Sequence, residues 1–308
     1  MHMSDNTANT TAAEALAPLH ELQVRVLGEA DAPPHGRVRD DLVAAEVPVA
    51  LVFNGISHAV MMATPQELED FALGFALSEG IVDSADDCYG IDVAMISDAA
   101  AGLPDGVHGV EVQLDIASAC FERLKGRRRS LTGRTGCGVC GVESMAALDL
   151  SPPPAMHRDW IERIDLPTVL KALAQMAPRQ QINAKAGSLH AAAWANIDGD
   201  VTEVTEDVGR HNALDKLIGA RARNGRLHES GFVVMTSRGS HELVRKCARV
   251  GIGALATVSA PTVMGVRMAE LSGIRLWGLC RTPRGVLYAG GNAPTDGLVD
   301  RTDKPVSI

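Results

Sequence analysis

The sequence predicts an α/β protein, α+β overall, in which a small N-terminal α+β domain precedes a larger domain built on a parallel sheet. Two apolar runs joined by a turn near the N-terminus and alternating strand and helix patterns near the C-terminus indicate this class. The stiff run Ser151-Pro152-Pro153-Pro154 divides the two parts, because proline is disfavoured inside helices and central strands. The predicted segments are a tail over 1–20, an N-terminal domain over 21–150, a C-terminal domain over 155–291 and a tail over 292–308.

The first predicted element is a hairpin. Val47–Phe53 and the stretch from His58 to Met62 are apolar runs joined through Asn54-Gly55, a dipeptide typical of two-residue turns. Pro48 has no amide hydrogen to donate, so we expect the first strand to begin late or to lie at a sheet edge.

A helix is predicted directly after the hairpin. Thr64 stands at the capping position, Pro65 at the first helical position, and Glu67 three residues after the cap. Farther along the N-terminal domain, the alternating run from Val110 to Leu114 predicts a half-buried strand.

The C-terminal domain carries a repeated strand and helix pattern. Apolar runs predict strands, and segments with helical spacing between them end near the plausible C-caps Gly251 and Gly273. The order β-α-β-α-β is the pattern of a parallel sheet flanked by helices. In chain order the elements are a strand over 232–235, a helix over 241–250, a strand over 254–258, a helix over 262–271 and a strand over 274–279.

The loops that leave these strands lie along one edge of such a sheet, which is where ligands bind. They contain hydroxyls, helix-start amides and three arginines, a set that suits phosphate. The alternative is that these are only well-capped helices with exposed arginines. The loops are Thr236-Ser237-Arg238-Gly239-Ser240, Ser259-Ala260-Pro261-Thr262 and Arg281-Thr282-Pro283-Arg284-Gly285.

The composition excludes several classes of protein. A formal net charge of -9 argues against a general affinity for nucleic acid or for an anionic membrane. The first 19 residues lack the apolar block of a signal peptide, and four of the six cysteines are scattered, so we expect a reduced, cytoplasmic setting. Those four, Cys88, Cys120, Cys247 and Cys280, are interpreted as small buried apolar residues.

The remaining two cysteines form the clearest chemical motif of the chain. Cys137 and Cys140 are surrounded by glycines and follow a basic run that begins at Lys125. The surrounding glycines predict an irregular loop. The nearby basic residues favour the thiolate form of the cysteines, which is the reactive one. The spacing is compatible with half of a zinc site, a redox dithiol or a persulfide carrier. A zinc site would need further ligands, for example across a dimer, because the other cysteines of the chain stand alone.

A second polar motif, Glu206-Asp207-Val208-Gly209-Arg210-His211-Asn212, enters a predicted helix. Asp207 as a helix cap and a polar pocket lined by Asp207, Arg210, His211 and Asn212 are equally compatible with this pattern. His190, after Gly187-Ser188-Leu189, is by itself more typical of a structural histidine.

Taken together, these motifs resemble the FdhD family of formate dehydrogenase accessory sulfurtransferases. The resemblance runs from about residue 40 to 290, and the motifs occur in the family's order. The matching segments are Thr135-Gly136-Cys137-Gly138-Val139-Cys140-Gly141, Gly187-Ser188-Leu189-His190-Ala191-Ala192, Glu206-Asp207-Val208-Gly209-Arg210-His211-Asn212-Ala213, Thr236-Ser237-Arg238-Gly239-Ser240 and Gly278-Leu279-Cys280-Arg281.

The resemblance implies a sulfur carrier. A cysteine desulfurase would load a persulfide on Cys137, Cys140 would assist, and the sulfur would pass to a molybdenum or tungsten bis-pyranopterin guanine dinucleotide cofactor destined for formate dehydrogenase. Guanine nucleotide is expected to mimic this cargo. The implied cofactor-binding residues are Leu279, Cys280, Arg281, Thr282, Pro283, Arg284, Thr236, Ser237, Arg238, Gly239, Ser240, Asp207, Arg210, His211 and Asn212.

The resemblance also implies a homodimer and a C-terminal domain of the cytidine deaminase type, with three α/β/α layers. No zinc is expected there, because Ala191-Ala192 follow His190 where a deaminase has a nearby glutamate, and no Pro-Cys-x-x-Cys occurs in this half. The alternatives to sulfur transfer are a thiol-disulfide oxidoreductase and a cofactor-binding chaperone in which sulfur transfer is not essential.

Overall fold

The computed structural model describes residues 16–28, 36–96, 103, 108–128 and 158–290, and their architecture is mixed α/β, as predicted. These described residues form three sheets and seven α-helices. The strands are β1 (Leu19–Val26), β2 (Arg37–Ala44), β3 (Val47–Phe53), β4 (Ile56–Ala63), β5 (Cys88–Ile96), β6 (Gly109–Ile116), β7 (His190–Asn196), β8 (Val201–Asp207), β9 (Gly231–Met235), β10 (Ala254–Thr257), β11 (Arg275–Arg281) and β12 (Arg284–Ala289). The helices are α1 (Leu68–Ser78), α2 (Ser118–Arg128), α3 (Leu166–Met176), α4 (Asn183–Ala186), α5 (Arg210–Arg223), α6 (His241–Arg249) and α7 (Val263–Leu271).

The N-terminal part contains an antiparallel β1-β2 ribbon and a four-stranded sheet of order β4-β3-β6-β5. The predicted β3-β4 hairpin is confirmed, with Asn54 and Gly55 at φ 45° and 77°. The expectation drawn from Pro48 is wrong, because β3 begins at Val47 and is a central strand between β4 and β6. Pro48 is tolerated because the ladder with β6 begins only at Val49.

The predicted start of the first helix is also wrong. Helix α1 begins at Leu68, preceded by Glu67 in a left-handed conformation with φ 53°. Thr64 is completely buried, and its hydroxyl accepts a hydrogen bond from the distant amide of Val208 instead of capping the helix. A tertiary contact has therefore replaced the local cap.

The C-terminal part is a six-stranded sheet of order β12-β11-β10-β9-β7-β8. Strands β9, β10 and β11 are parallel, which confirms the predicted alternation of strands and helices. Strand β7 runs antiparallel to both β9 and β8. Strand β12 runs antiparallel to β11, so the loop after β11 is a hairpin turn and not the start of a helix.

Helices cover both faces of this sheet. Helix α3 packs on one face through Val169, Ala172 and Met176. Helices α5, α6 and α7 pack on the other face, in a core that continues into α1 and the N-terminal sheet. Helices α1 and α5 approach each other at glycines: a Cβ at Gly74 would collide with the Asp215 carbonyl, and one at Gly219 with the Asp70 carbonyl. The N-terminal part is therefore packed directly on α5.

Within the described part of the chain, no helix has both the length and the apolar character needed to cross a bilayer.

Candidate functional site

One edge of the six-stranded sheet gathers the polar motifs. Because β7 is antiparallel to β8 and β9, its first residue, His190, lies at the same edge as the last residues of those strands. The loops after β9, β10 and β11 are joined there by backbone hydrogen bonds. These run from the Ser259 amide to the Ser237 carbonyl (3.4 Å), from Leu279 to Ser259 (3.2 Å) and from Thr262 to Gly239 (3.0 Å).

Two helices begin at this edge. The Ser240 hydroxyl accepts from the Leu243 amide at 3.5 Å and caps α6, and the Thr262 hydroxyl accepts from the Gly265 amide at 3.1 Å and caps α7. Gly265 is a point of close contact, since a Cβ there would press on the Gly239 carbonyl. These hydroxyls are therefore used inside the loops, and charge for a ligand must come from other side chains.

Arginines provide that charge. Arg238, Arg281 and Arg284 are exposed and make no ion pair with any described residue. Arg281 and Arg284 lie opposite each other across the β11-β12 turn, whose tip is formed by the exposed residues Thr282 and Pro283. Like charges directly opposite each other in a hairpin are destabilising, so this pair favours an anion between or beside them.

Two residues of the same segment face inward. Cys280 is 2% exposed and belongs to the core beneath α3, where burial raises the pKa of its thiol to about 11. Leu279 is half-buried with φ 52°. The thiol of Cys280 is thus a weak candidate for ligand contact, whereas the turn that follows it is open.

The start of α5 divides the Glu206–Ala213 motif into two groups. Asp207 and Asn212 are buried, and their side chains bond to each other at 2.9 Å and to the N-terminal part of the protein. Gly209, and not Asp207, is the residue that precedes the helix. Asp207 and Asn212 therefore lie one layer behind the edge surface.

Arg210 and His211 form the second group. Arg210 Nε and His211 Nε2 are buried and have no hydrogen-bond partner among the described residues. His211 Nε2 lies 3.5 Å from Glu242 Oε2, an ion-pair distance rather than a hydrogen bond. Burial alone would raise the pKa of Glu242, but His211, together with Ser240 and His241, lowers it to about 2. Glu242 therefore carries its negative charge at the base of this group.

His190 completes the cluster. Its Nδ1 lies 3.4 Å from the Thr236 hydroxyl, which also accepts a hydrogen bond from the Ala191 amide at 3.0 Å. Burial lowers the pKa of His190, and the charges of Arg210 and His211 lower it further. Burial and the nearby Arg210 thus both disfavour the protonated form of His190. Sequence reasoning did not assign His190 or Glu242 to the site, because a lone histidine and a first-turn glutamate carry no local signal for it.

The described residues offer one grouping with metal-ligand atoms, Asp83, Asp87 and Cys120, within 4.8 Å of one another. Its carboxylates already have partners. Asp83 pairs with Arg123 at 2.7 Å and with Arg249 at 3.1 Å, and Asp87 accepts from the amides of Asp83 and Ser84. Asp83 thus links α2 to α6 through these arginines, and both carboxylates of the grouping are used within the fold.

Cys137 and Cys140 lie outside the described residues, between Arg128 at the end of α2 and residue 158. Their assignment rests on the sequence alone.

Comparisons with known proteins are consistent over most of the chain. A family model described as FdhD/NarQ matches residues 44–293. The chain is 48% identical over 286 residues to the sulfur carrier protein FdhD of Cupriavidus necator, covering 87% of this chain and 93% of that one. It is 52% identical over 248 residues to the sulfur carrier protein FdhD of Chromobacterium violaceum, covering 80% and 88%.

A solved structure has the same fold. It is a crystal structure of a Desulfotalea psychrophila protein described as a formate dehydrogenase accessory protein, with a TM-score of 0.63 over 90% of this chain and 98% of that one. The two sequences are 20% identical, so the likeness concerns the fold.

Proposed function

The chain belongs to the FdhD/NarQ family, and from that premise we propose that it is a sulfur carrier in the maturation of formate dehydrogenase. It accepts sulfur from a cysteine desulfurase and delivers it to a molybdenum or tungsten bis-pyranopterin guanine dinucleotide, which is its cargo. Relatives named sulfur carrier protein FdhD at 48% and 52% identity support this role.

The loading step is assigned to Cys137. Its thiolate attacks the terminal sulfur of the desulfurase persulfide, a new S–S bond forms on Cys137, and the desulfurase cysteine leaves as a thiolate. No net oxidant is needed, because the sulfur moves between two thiolates. The basic residues that precede the pair favour the thiolate form, and Cys140 assists transfer.

The observation that carries the cargo site is the set of unpaired cations along one sheet edge. Arg238, Arg281 and Arg284 make no ion pair with the described residues, and Arg210 Nε is buried without a partner. Two helix starts and several guanidinium groups are what a diphosphate requires, since Arg forms bidentate, charge-assisted bonds with phosphate oxygens. Asp207 and Asn212, implied by the family resemblance, would act behind this surface.

The test of loading uses the full chain, a cysteine desulfurase and cysteine, with persulfide located by mass spectrometry. We expect Cys137→Ala to lose transferable sulfur and Cys88→Ala to retain it, because Cys88 is a half-buried cysteine on β5 whose pKa is raised by burial. Transfer on Cys140 at the wild-type rate in Cys137→Ala would overturn the assignment.

Measurements in cells distinguish the proposed sulfur carrier from a cofactor-binding chaperone and from an oxidoreductase. If Cys137→Ala leaves formate dehydrogenase activity intact, the protein is a cofactor-binding chaperone. If a Cys137–Cys140 disulfide turns over with partner proteins independently of guanine nucleotide, the protein is an oxidoreductase.

We also propose that the protein is a cytoplasmic homodimer that binds first the desulfurase and then the dehydrogenase.

A further inference from the structure

A fully buried polar cluster joins the N-terminal part to the start of α5. We call it the Thr64 cluster: Thr64, Asp207, Asn212 and Lys216. Thr64, Asp207 and Lys216 are 0% exposed and Asn212 is 3% exposed. Residues about 150 positions apart in the chain meet here, so the cluster depends on tertiary structure.

Every polar group of Thr64 is bonded to the C-terminal part. Its amide donates to Asp207 Oδ2 at 3.0 Å, its hydroxyl accepts from the Val208 amide at 3.2 Å, and its carbonyl accepts from Lys216 Nζ at 3.1 Å. The preceding strand adds one more bond, from Asn212 Nδ2 to the Met62 carbonyl at 2.8 Å. The segment from Met62 to Thr64 thus forms hydrogen bonds on both sides of the start of α5: with Asp207 and Val208 before it, and with Asn212 and Lys216 within it.

The cluster is also charged. Lys216 Nζ lies 2.8 Å from Asp207 Oδ2 and donates to the Glu206 carbonyl at 3.1 Å. Asp207 Oδ1 accepts from the Gly209 amide at 2.8 Å. Burying an ion pair gives little net stability compared with apolar packing, so such a pair suggests a requirement for a defined geometry.

The cluster is placed to fix the positions of Arg210 and His211 at the start of α5. They lie between Asp207 and Asn212 in the chain, and both anchors are held by the N-terminal part. The first amides of a helix have no partners within the helix, so its first turn opens easily unless other groups hold it. Here the entry into the helix is fixed by two bonds just before it: Asp207 accepts from the amide of the N-cap residue Gly209, and Thr64 accepts from the amide of Val208, one residue earlier.

We propose that Thr64 is a positioning residue for the anion site: it acts through the Thr64 cluster to hold Arg210 and His211 toward the ligand. The proposal rests on the proposed cargo site at this edge. It makes the N-terminal part, whose sequence leads into Cys137, a structural component of the site that receives the cargo.

The experiment uses three variants of the full chain. Thr64→Val keeps the shape and main-chain bonds but removes the acceptor of the Val208 amide, and Thr64→Ser keeps the hydroxyl. Ser78→Ala is the matched control, because it removes a buried hydroxyl from a contact between Ser78, Asp215 and Lys246. Guanosine diphosphate affinity, amide hydrogen exchange over residues 208–212 and Tm are measured for each.

For Thr64→Val we expect about fivefold weaker nucleotide binding and about fivefold faster exchange at Val208, the effect of one lost hydrogen bond. Thr64→Ser should restore both values. Ser78→Ala should lower Tm to a similar extent while leaving affinity and exchange at wild-type values. If Thr64 had a purely structural role, Thr64→Val and Ser78→Ala would both lower Tm, and they would not differ in nucleotide affinity or in exchange at Val208.

Wild-type affinity and wild-type exchange in a folded Thr64→Val protein would overturn the proposal. If Thr64→Val does not fold, Asn212→Ala, which removes the bond to the Met62 carbonyl, is judged by the same two measurements. If the wild-type chain fails to bind guanosine diphosphate, the proposed cargo site is wrong, and exchange over 208–212 alone decides whether Thr64 positions the helix start.

Discussion

Two buried ionic clusters lie on neighbouring residues of α5, and they differ in what they hold. The Thr64 cluster uses Lys216 and connects main-chain groups on both sides of the helix start. The second, which we call the Ser78 cluster, consists of Ser78, Glu79, Asp215 and Lys246. In it Lys246 Nζ contacts Asp215 at 2.9 Å, Glu79 at 2.9 Å and Ser78 at 2.8 Å, all through side chains.

This difference predicts which property each cluster controls: the stability of the fold or the geometry of the ligand edge. The Ser78 cluster joins helices α1, α5 and α6, and the contacts that Ser78, Asp215 and Lys246 make with one another lie away from the ligand edge. The Thr64 cluster flanks Arg210 and His211. We therefore expect changes in the Ser78 cluster to appear in unfolding, and changes in the Thr64 cluster to appear in binding.

The largest effect on stability is expected from Lys246→Met. Burial opposes the charge on Lys246, but the carboxylates of Asp215 and Glu79 outweigh it and raise the pKa of the lysine. Removing the ammonium leaves Asp215 buried without a counter-charge, which should lower the free energy of unfolding by about 3–5 kcal/mol in urea titrations.

Lys171→Met is the control for Lys246→Met, because Lys171 forms an exposed pair with Asp200. Its loss should cost less than about 1 kcal/mol. Guanosine diphosphate affinity of the folded Lys246→Met protein should match that of the wild type. A large loss of affinity there would show that the two clusters are not separable.

An intermediate effect is expected from Gly219→Ala, which acts on both clusters at once. The added Cβ would collide with the Asp70 carbonyl and force α1 away from α5, the contact on which both clusters depend. Overpacking of this kind costs about 1–3 kcal/mol, and we expect nucleotide affinity to fall in parallel, because Thr64 precedes α1.

Gly126→Ala is the matched control for Gly219→Ala. Gly126 lies in α2, and no described atom outside the helix lies within 4 Å of an added Cβ, so alanine should stabilise the protein by about 0.5–1 kcal/mol through its better helix propensity. Equal effects of the two substitutions would contradict the close approach of α1 and α5.

Neither cluster was visible in the sequence. The hairpin at Asn54-Gly55 and the strands and helices between 231 and 281 were predicted because turn residues and apolar periodicity act over a few positions. Thr64 and Pro48 were misjudged for the opposite reason: their local preferences for a cap and for an edge gave way to partners far along the chain. Lys216 and Lys246 lie in helices that carry several other charged residues, so nothing in the local sequence marks these two lysines as buried, and their carboxylate partners emerge only from the fold.

The motif at the start of α5 shows the same limit within one segment. The sequence was equally compatible with a helix cap at Asp207 and with a polar pocket lined by four residues of the motif. It could not indicate that Asp207 and Asn212 bond inward to Thr64 and Met62, while Arg210 Nε and His211 Nε2 are buried without a hydrogen-bond partner in the described part of the chain. Glu242 contacts His211 from another helix, 31 residues on, and so lay beyond any local pattern.

The smallest stability effect is expected from Glu242→Gln, and its dependence on pH identifies the cause. The folded-state pKa of Glu242 is lowered to about 2, so its contribution is present above the ordinary pKa of 4.5 and is lost as pH falls through the folded value. Solvent partly screens this half-buried carboxylate, so at pH 7 the variant should lose about 1 kcal/mol, and the difference from wild type should shrink steadily between pH 4.5 and pH 2. Glu270→Gln on α7, whose pair with Arg267 is exposed, should change little at either pH. Nucleotide affinity should change as well, because His211 loses the charge beside it. If the difference in the free energy of unfolding between Glu242→Gln and wild type stays constant from pH 7 to pH 2, then packing, and not the charge of Glu242, stabilises this part of the ligand edge.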